Sequence, residues 1–280
     1  DSMTDMRIMT FNVRGADSTS AIDGLNAWPA RAHLNVATIK RYAPDIIGFQ
    51  EIQNGNWQTY LDLLPEYDRL KGSRYGNAEP FSYPSILWKA SRFQLLDSGG
   101  FWLCESPDTF STGWDALETR SAAWTILRCT DTGLVFVHWN THLDHVGEKA
   151  PVESTKLLLQ RMDQPAFDHI PAIVTADFNS KPDSDAHRLF LEHGFIDTFL
   201  ASGGQDDGLG GEELQVAGLH VQGQEMDVER DHEELVAGDR EPAIHPSTTH
   251  AQPAGQISSI APDRSSRPRI DCGRPGSRAF

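Results

Sequence analysis

Four apolar runs in this sequence of 280 residues end in side chains suited to a single piece of chemistry. Pro171-Ala172-Ile173-Val174 leads into Thr175-Ala176-Asp177-Phe178-Asn179-Ser180, and Met9-Thr10-Phe11 ends at Asn12. Ile46-Ile47-Gly48-Phe49 ends at Gln50-Glu51, and Val135-Phe136-Val137 runs through Trp139-Asn140-Thr141 to His142. Asn12, Glu51, Asp177 and Asn179 offer oxygen ligands to a hard cation. Mg²⁺ or Mn²⁺ suits them better than zinc, because no thiolate and one well-placed histidine accompany them. Such a cation polarises a phosphoryl oxygen and stabilises the leaving oxygen. His142 would donate a hydrogen bond to a phosphoryl oxygen whose charge grows in the transition state. Each residue alone has a duller explanation: a strand-terminal cap, a turn start, a satisfied core histidine. Four such coincidences at four strand ends are a weaker account than one site.

The elements that must position these groups follow from pattern. Side chains alternate along a strand, so an acid and an amide two residues apart at a strand end point into one cleft. Strands are expected at Arg7 to Val13, Asp45 to Glu51, Ser85 to Trp88, Phe93 to Phe101, Ala122 to Cys129 and Leu134 to Leu143, besides the one ending at Asp177. Pro29 opens a helix with Ala32, Val36, Ile39 and Tyr42 at helical spacing, and Pro44 closes it. Helices are also expected at Trp57 to Leu64, at Val152 to Met162, and from Pro182-Asp183-Ser184-Asp185 to Gly194. Arg69 to Pro84 reads as a long loop and Glu105 to Arg120 as irregular. Alternating strands and helices indicate an α/β fold.

The length suits one large domain, since a boundary within the first 180 residues would divide the four strand ends. Residues 201–257 read as an acidic, Gly-rich insert or irregular segment and 258–280 as an atypical tail rich in Arg and Pro. No apolar run approaches the length of a membrane span, which excludes an integral membrane protein. The N-terminus lacks a signal-peptide plan, so the expected compartment is cytoplasmic by default. Cys104, Cys129 and Cys272 have neither disulfide-framework nor zinc-site spacing. The formal charge of −16 argues against a nucleic-acid binder with a broad basic face. A phosphate bound through a metal escapes that objection, because the ion's charge dominates locally.

Met9-Thr10-Phe11-Asn12-Val13-Arg14, Pro44 to Glu51, Asn140 to His145 and Thr175 to Ser180 resemble, in wording, order and spacing, the endonuclease/exonuclease/phosphatase family, the deoxyribonuclease-I-like group. Phe101-Trp102-Leu103 and Gly113-Trp114-Asp115-Ala116 with Arg120 resemble a bacterial branch of it. The resemblance spans about Arg7 to Leu200. It implies a four-layer α/β sandwich, two mixed β-sheets packed face to face with helices outside, and metal-dependent cleavage of a phosphoester by activated water. Carried onto this sequence, it makes Glu51 the main metal ligand with Asn12 beside it, and His142 the group that stabilises the phosphoryl. Asp177 and Asn179 would orient nucleophile and phosphate. Arg120, and Glu79 or Tyr83 in the loop before Ser85, are implied on the substrate side.

The C-terminal signature of that family is met only in part. Arg269-Ile270-Asp271 matches, giving Asp271 an implied role in water activation, and Thr249-His250 matches a Thr-x-His that often precedes it. The Ser-Asp-His expected further on is not found, which suggests a truncated or frame-shifted C-terminal part, an uncovered sheet edge, and marginal stability or self-association. His220, His232, His245 and His250 have no feature that selects any of them, and Ser184-Asp185-Ala186-His187 reads as a helix cap followed by a surface histidine. The functional expectation is a Mg²⁺- or Mn²⁺-dependent phosphodiesterase, nuclease-like or acting on a small or lipid phosphodiester. Nucleic acids and nucleotides are among the candidate substrates, and the charge disfavours long duplex DNA. The alternatives are a phosphomonoesterase using the same site and an inactive domain that binds metal or phosphate.

Overall fold

A computed structural model of the chain describes residues 6–16, 20–72, 83–203 and 217–220. Strand β1 (Ile8–Asn12) is followed by a single turn α1 (Ser20–Asp23) and helix α2 (Trp28–Tyr42). Pro29 sits in the first turn of α2, where its missing N–H costs nothing, and Ala43 ends the helix in the left-handed region at φ 45°. Next come β2 (Ile46–Ile52), α3 (Asn54–Leu63), β3 (Tyr67–Leu70), β4 (Tyr83–Lys89), β5 (Phe93–Trp102), β6 (Ser121–Cys129) and β7 (Val135–His142). Helix α4 (Ala150–Met162) returns the chain to β8 (Ala172–Asp177), and α5 (Asp185–Glu192), β9 (Ile196–Asp197), the turn α6 (Thr198–Ala201) and β10 (Ala217–His220) complete it.

The strands form two mixed sheets, one ordered β1-β2-β4-β3 and the other β5-β6-β7-β8-β10-β9. The pairs β1/β2 and β7/β8 are parallel and bring the functional strand ends to one edge. Three apolar clusters give four layers. Met9, Phe11, Ile47 and Phe49 face Val36, Ile39 and Tyr60 of α2 and α3. Val137, Trp139, Val174 and Ala176 face Leu158 and Leu159 of α4 and Phe190 of α5. Ile46, Ile86 and Trp88 meet Phe93, Leu127, Phe136 and Ile173 between the sheets. Each fully buried Phe or Ile in such a layer contributes roughly 1.5–3 kcal/mol.

Two expectations need correction. The loop expected from Arg69 to Pro84 begins inside β3 and ends inside β4, because Tyr67–Leu70 pairs antiparallel with Ile86–Lys89. Charged Asp68 and Arg69 hid this short edge strand from a reading by apolar content. Within the segment 201–257, Ala217–His220 is also a strand, inserted antiparallel between β8 and β9. Four residues pair there through the backbone, which composition does not reveal.

Candidate active site

The space between the sheets changes character along its length. In β1 and β2 the inward residues pass from Ile8 and Ile46 to Thr10 and Gly48, then to Asn12 and Gln50, each pair in register. In β7 and β8 they pass from His138 and Ile173 to Asn140 and Thr175, then to His142 and Asp177. Alternation therefore delivers a polar layer at one end of an apolar core. Asn140 fastens this layer: Nδ2 donates to Phe49 O (2.7 Å) and Ser85 O (2.9 Å) of the opposite sheet. Its Oδ1 accepts from Gln50 Nε2 (2.8 Å) and Thr175 Oγ1 (3.0 Å). Gly48 permits the approach, since a Cβ there would stand 1.8 Å from Thr175 Oγ1.

Beyond this layer lie the candidate residues. The β2–β4 register shifts between Phe49 and Ile52, and within that bulge Glu51 has φ 62°. A bulge with a left-handed non-glycine residue re-aims a side chain at a cost, as is common beside functional sites. Here it turns Glu51 onto Asn12, whose Nδ2 donates to Glu51 Oε1 (2.8 Å) and to Asp177 Oδ2 (2.7 Å). Asn12 Oδ1 is held by the backbone N–H of Arg14 at 2.8 Å. Asn179, at φ 48°, gives its backbone N–H to Asp177 Oδ1 (3.0 Å) and its side-chain amide to Leu143 O (2.9 Å). That amide also lies 2.8 Å from His142 Nε2, and Asp177 Oδ2 is 3.6 Å from the same nitrogen.

Arg120 reaches the opposite face of the imidazole. Its Nη1 donates to His142 Nδ1 at 3.0 Å and its Nη2 to His145 Nδ1 at 3.1 Å. A guanidinium only donates, so Nδ1 accepts and the neutral His142 ring carries its proton on Nε2, on the side of the Asp177 carboxylate. Burial, then Arg120 and His145, holds the His142 pKa well below the usual range. Burial pushes Asp177 up, against the opposing hydrogen bonds from Asn12 and Asn179. Burial also lowers Arg120, whose Nε is 3.9 Å from Asp144 Oδ1 and makes no hydrogen bond among the described residues. Asp144 accepts backbone N–H groups from Leu117, Glu118, Val146 and Gly147, tying the irregular segment before Arg120 to the turn after His142. Those bonds outweigh burial and keep Asp144 below the usual carboxylate range.

Among the described residues no three His, Cys, Asp or Glu side chains assemble as a ligand cluster. The donor set is instead two carboxylates and an amide. Glu51 and Asp177 are linked through one amide nitrogen, with no Lys or Arg within 4.0 Å of either among the described residues. Adjacent carboxylates without a fixed cationic partner are the donor type a hard divalent cation takes, while Asn12 turns its amide nitrogen, not Oδ1, toward them.

Asn12, Glu51, Arg120, His142, Asp177 and Asn179 are thus brought together. Tyr83 begins β4 with its backbone opposite Ile52, while Glu79, Asp271, His232, His245 and His250 lie outside the described residues. His220 pairs with Ala172, at the end of β8 remote from Asp177. Ser184 caps α5 through the N–H of His187, as expected. The expected surface position of His187 is wrong: the residue is 1% exposed, with Nε2 3.0 Å from Asp197 Oδ2. Sequence reasoning gave no role to Asp144 or His145, although both follow His142 in the same polar run. Among the described residues no helix is long and apolar enough to cross a membrane.

Comparison with known proteins gives the same picture. No curated protein matches the chain. Among solved structures, an endonuclease/exonuclease/phosphatase family protein from Bacteroides thetaiotaomicron is 26% identical, with TM-score 0.70 over 78% of this chain and 83% of that one. Another from Bacteroides vulgatus is 34% identical, with TM-score 0.63 over 69% and 73%. A mannosyl-6-phosphatase from Bacteroides thetaiotaomicron is 26% identical, with TM-score 0.69 over 77% and 85%. The profile of the Endonuclease/Exonuclease/phosphatase family matches residues 9–271. With a four-layer sandwich whose strand ends converge on acids, amides and one histidine, the chain belongs to the endonuclease/exonuclease/phosphatase family of phosphoester hydrolases.

Proposed function

We propose that this protein hydrolyses a phosphodiester, nuclease-like or small, by in-line attack of water assisted by Mg²⁺ or Mn²⁺. The observation that carries the reading is the meeting of Asn12, Glu51, Asp177, Asn179, His142 and Arg120 at one end of the space between the sheets. A divalent cation held by Glu51 and Asn12 would polarise the phosphoryl oxygen and stabilise the leaving oxygen. The chain's own groups do the rest. Asp177, its proton affinity raised by burial, accepts a hydrogen bond from the attacking water and draws off charge as the O–P bond forms. Asn179 fixes the phosphate with its amide. His142, neutral, donates from Nε2 to a phosphoryl oxygen, and preorganised donors of this kind are typically worth about 10²–10³ in rate.

A phosphomonoesterase is the second reading, favoured by the similarity to a mannosyl-6-phosphatase. Hydrolysis of bis-p-nitrophenyl phosphate and of p-nitrophenyl phosphate, each with Mg²⁺ or Mn²⁺ and with EDTA, tests both. Metal-dependent turnover that disappears in Asp177→Ala is expected, with the diester preferred. A preference for the monoester selects the second reading. Turnover that persists in EDTA or in Asp177→Ala overturns the site, and none from the folded wild type leaves the non-catalytic alternative.

A further inference from the structure

His187 and Asp197 form a buried pair that the proposed chemistry does not use. His187 Nε2 donates to Asp197 Oδ2 at 3.0 Å, and the two side chains are 1% and 2% exposed. Asp197 Oδ1 is already engaged, accepting the N–H groups of Phe199 (2.9 Å) and Leu200 (3.1 Å) at the start of α6. The acceptor is therefore fixed by its own cap, and the imidazole is fixed by the acceptor. His187 Nδ1 is buried and has no hydrogen-bond partner among the described residues. With Nδ1 unpartnered among the described residues, the bond to Asp197 is the side-chain hydrogen bond that fixes the ring. What the imidazole adds is direction.

That direction is imposed on Phe178. The Phe178 ring stands edge-on to His187, with centroids 6.3 Å apart at 82°, and to Phe190 at 5.3 Å and 86°. Phe178 lies between Asp177 and Asn179 in sequence, and Asn179 holds a left-handed backbone at φ 48°. A non-glycine residue keeps such a conformation when its surroundings over-determine it. The same helix grips the turn from its other end. Ser184 Oγ accepts from the His187 N–H (3.2 Å) and donates to Ser180 Oγ (3.1 Å), the residue after Asn179.

We propose that His187, oriented by Asp197, is a positioning residue that holds the Asp177–Asn179 turn in its working shape through Phe178. The inference rests on the proposed role of Asp177 and Asn179, but its first test does not depend on turnover. Backbone hydrogen exchange at Asn179, read by NMR on the full chain, is expected to quicken about tenfold or more in His187→Leu. In His187→Gln, which keeps a donor for Asp197, it is expected to stay within about threefold of wild type. In the diester assay, His187→Leu is expected to lower kcat by roughly 10- to 100-fold with KM little changed, and His187→Gln to restore most of it. Should His187→Leu not fold, Asp197→Asn retains the helix cap and removes the charged acceptor, and faster exchange at Asn179 is again expected. Unchanged exchange at Asn179 in the folded variant overturns the proposal, whether or not the wild type turns over. Lowered thermal stability with kcat and exchange unchanged reduces the pair to a packing role and overturns it equally.

Discussion

Arg120 grips two imidazoles with one guanidinium, and the fork geometry is what the site depends on. Nη1 fixes the tautomer of His142 while Nη2 fixes His145 at the mouth. A lysine ammonium would keep the charge but would not present the two fixed donors that bond both rings at once. Arg120→Lys is therefore expected to lower kcat/KM by about 10²-fold, close to the loss from Arg120→Ala. Steady-state kinetics on the better p-nitrophenyl ester check this, and a lysine variant within a few-fold of wild type would show that bare charge suffices. The carboxylates depend on backbone in a comparable way. Glu51 reaches Asn12 because a bulge places it at φ 62°, so that contact is bound to an irregularity in β2.

At the scale of elements, the site is as firm as the contact between its two sheets, and Asn140 is the main fastener. Three of its four hydrogen bonds cross to Phe49, Ser85 and Gln50 of the other sheet, the fourth joins Thr175 of the neighbouring strand β8, and it is fully buried. Asn140→Asp replaces the donor facing two carbonyl oxygens with an acceptor. Stability is expected to fall by about 3–5 kcal/mol, the usual cost of a buried charge without a partner. Urea unfolding followed by tryptophan fluorescence reads the change. Gly48→Ala attacks the same contact sterically, because the added Cβ would overlap Thr175 Oγ1 and lie 2.8 Å from Asn140 Oδ1. About 1–3 kcal/mol is the expected loss, by overpacking. An equal loss of metal-dependent activity in the surviving folded fraction would show the catalytic edge following the sheet contact.

For the molecule as a whole, His138 and Asp45 tie stability to pH in the same direction, while Asp177, raised by burial, opposes them at acid pH. His138 is fully buried, beside Thr175 Oγ1, and burial pushes its pKa down to about 3. Between that value and about 6.5 the unfolded chain takes a proton that the folded one refuses, so stability is complete above about pH 6.5 and declines below it. The slope is about 1.4 kcal/mol per pH unit for each such histidine. Asp45 pulls the same way at lower pH. Burial would raise it, but the Arg7 N–H, Lys89 and Arg92 outweigh burial and hold it below the usual range. Its contribution is present above about pH 3.9 and lost as the pH falls through the folded value. His138→Gln should therefore flatten the fall of the urea midpoint between pH 6 and 4.5 by about one histidine's share. An unchanged slope would show that His138 titrates normally in the folded state.

Much of this was legible in the chain itself, because strands with alternating patterns report their faces and their ends. Asn12, Glu51, His142, Asp177 and Asn179 could be singled out because each closes an apolar run, and α2 could be bounded from Pro29 and Pro44. The family followed from the same words in the same order. What required the tertiary structure was everything set by contact between distant segments. Arg120 pairs with His142 across 22 residues, and Asn140 crosses between sheets to Phe49 across 91. His187 looked like a surface residue beyond a helix cap until Asp197 and Phe178 closed over it. Local pattern records whether a side chain faces a core, but which partner waits there depends on how two sheets and four layers stack. That arrangement is decided by packing over the whole chain, so no short stretch of sequence states it.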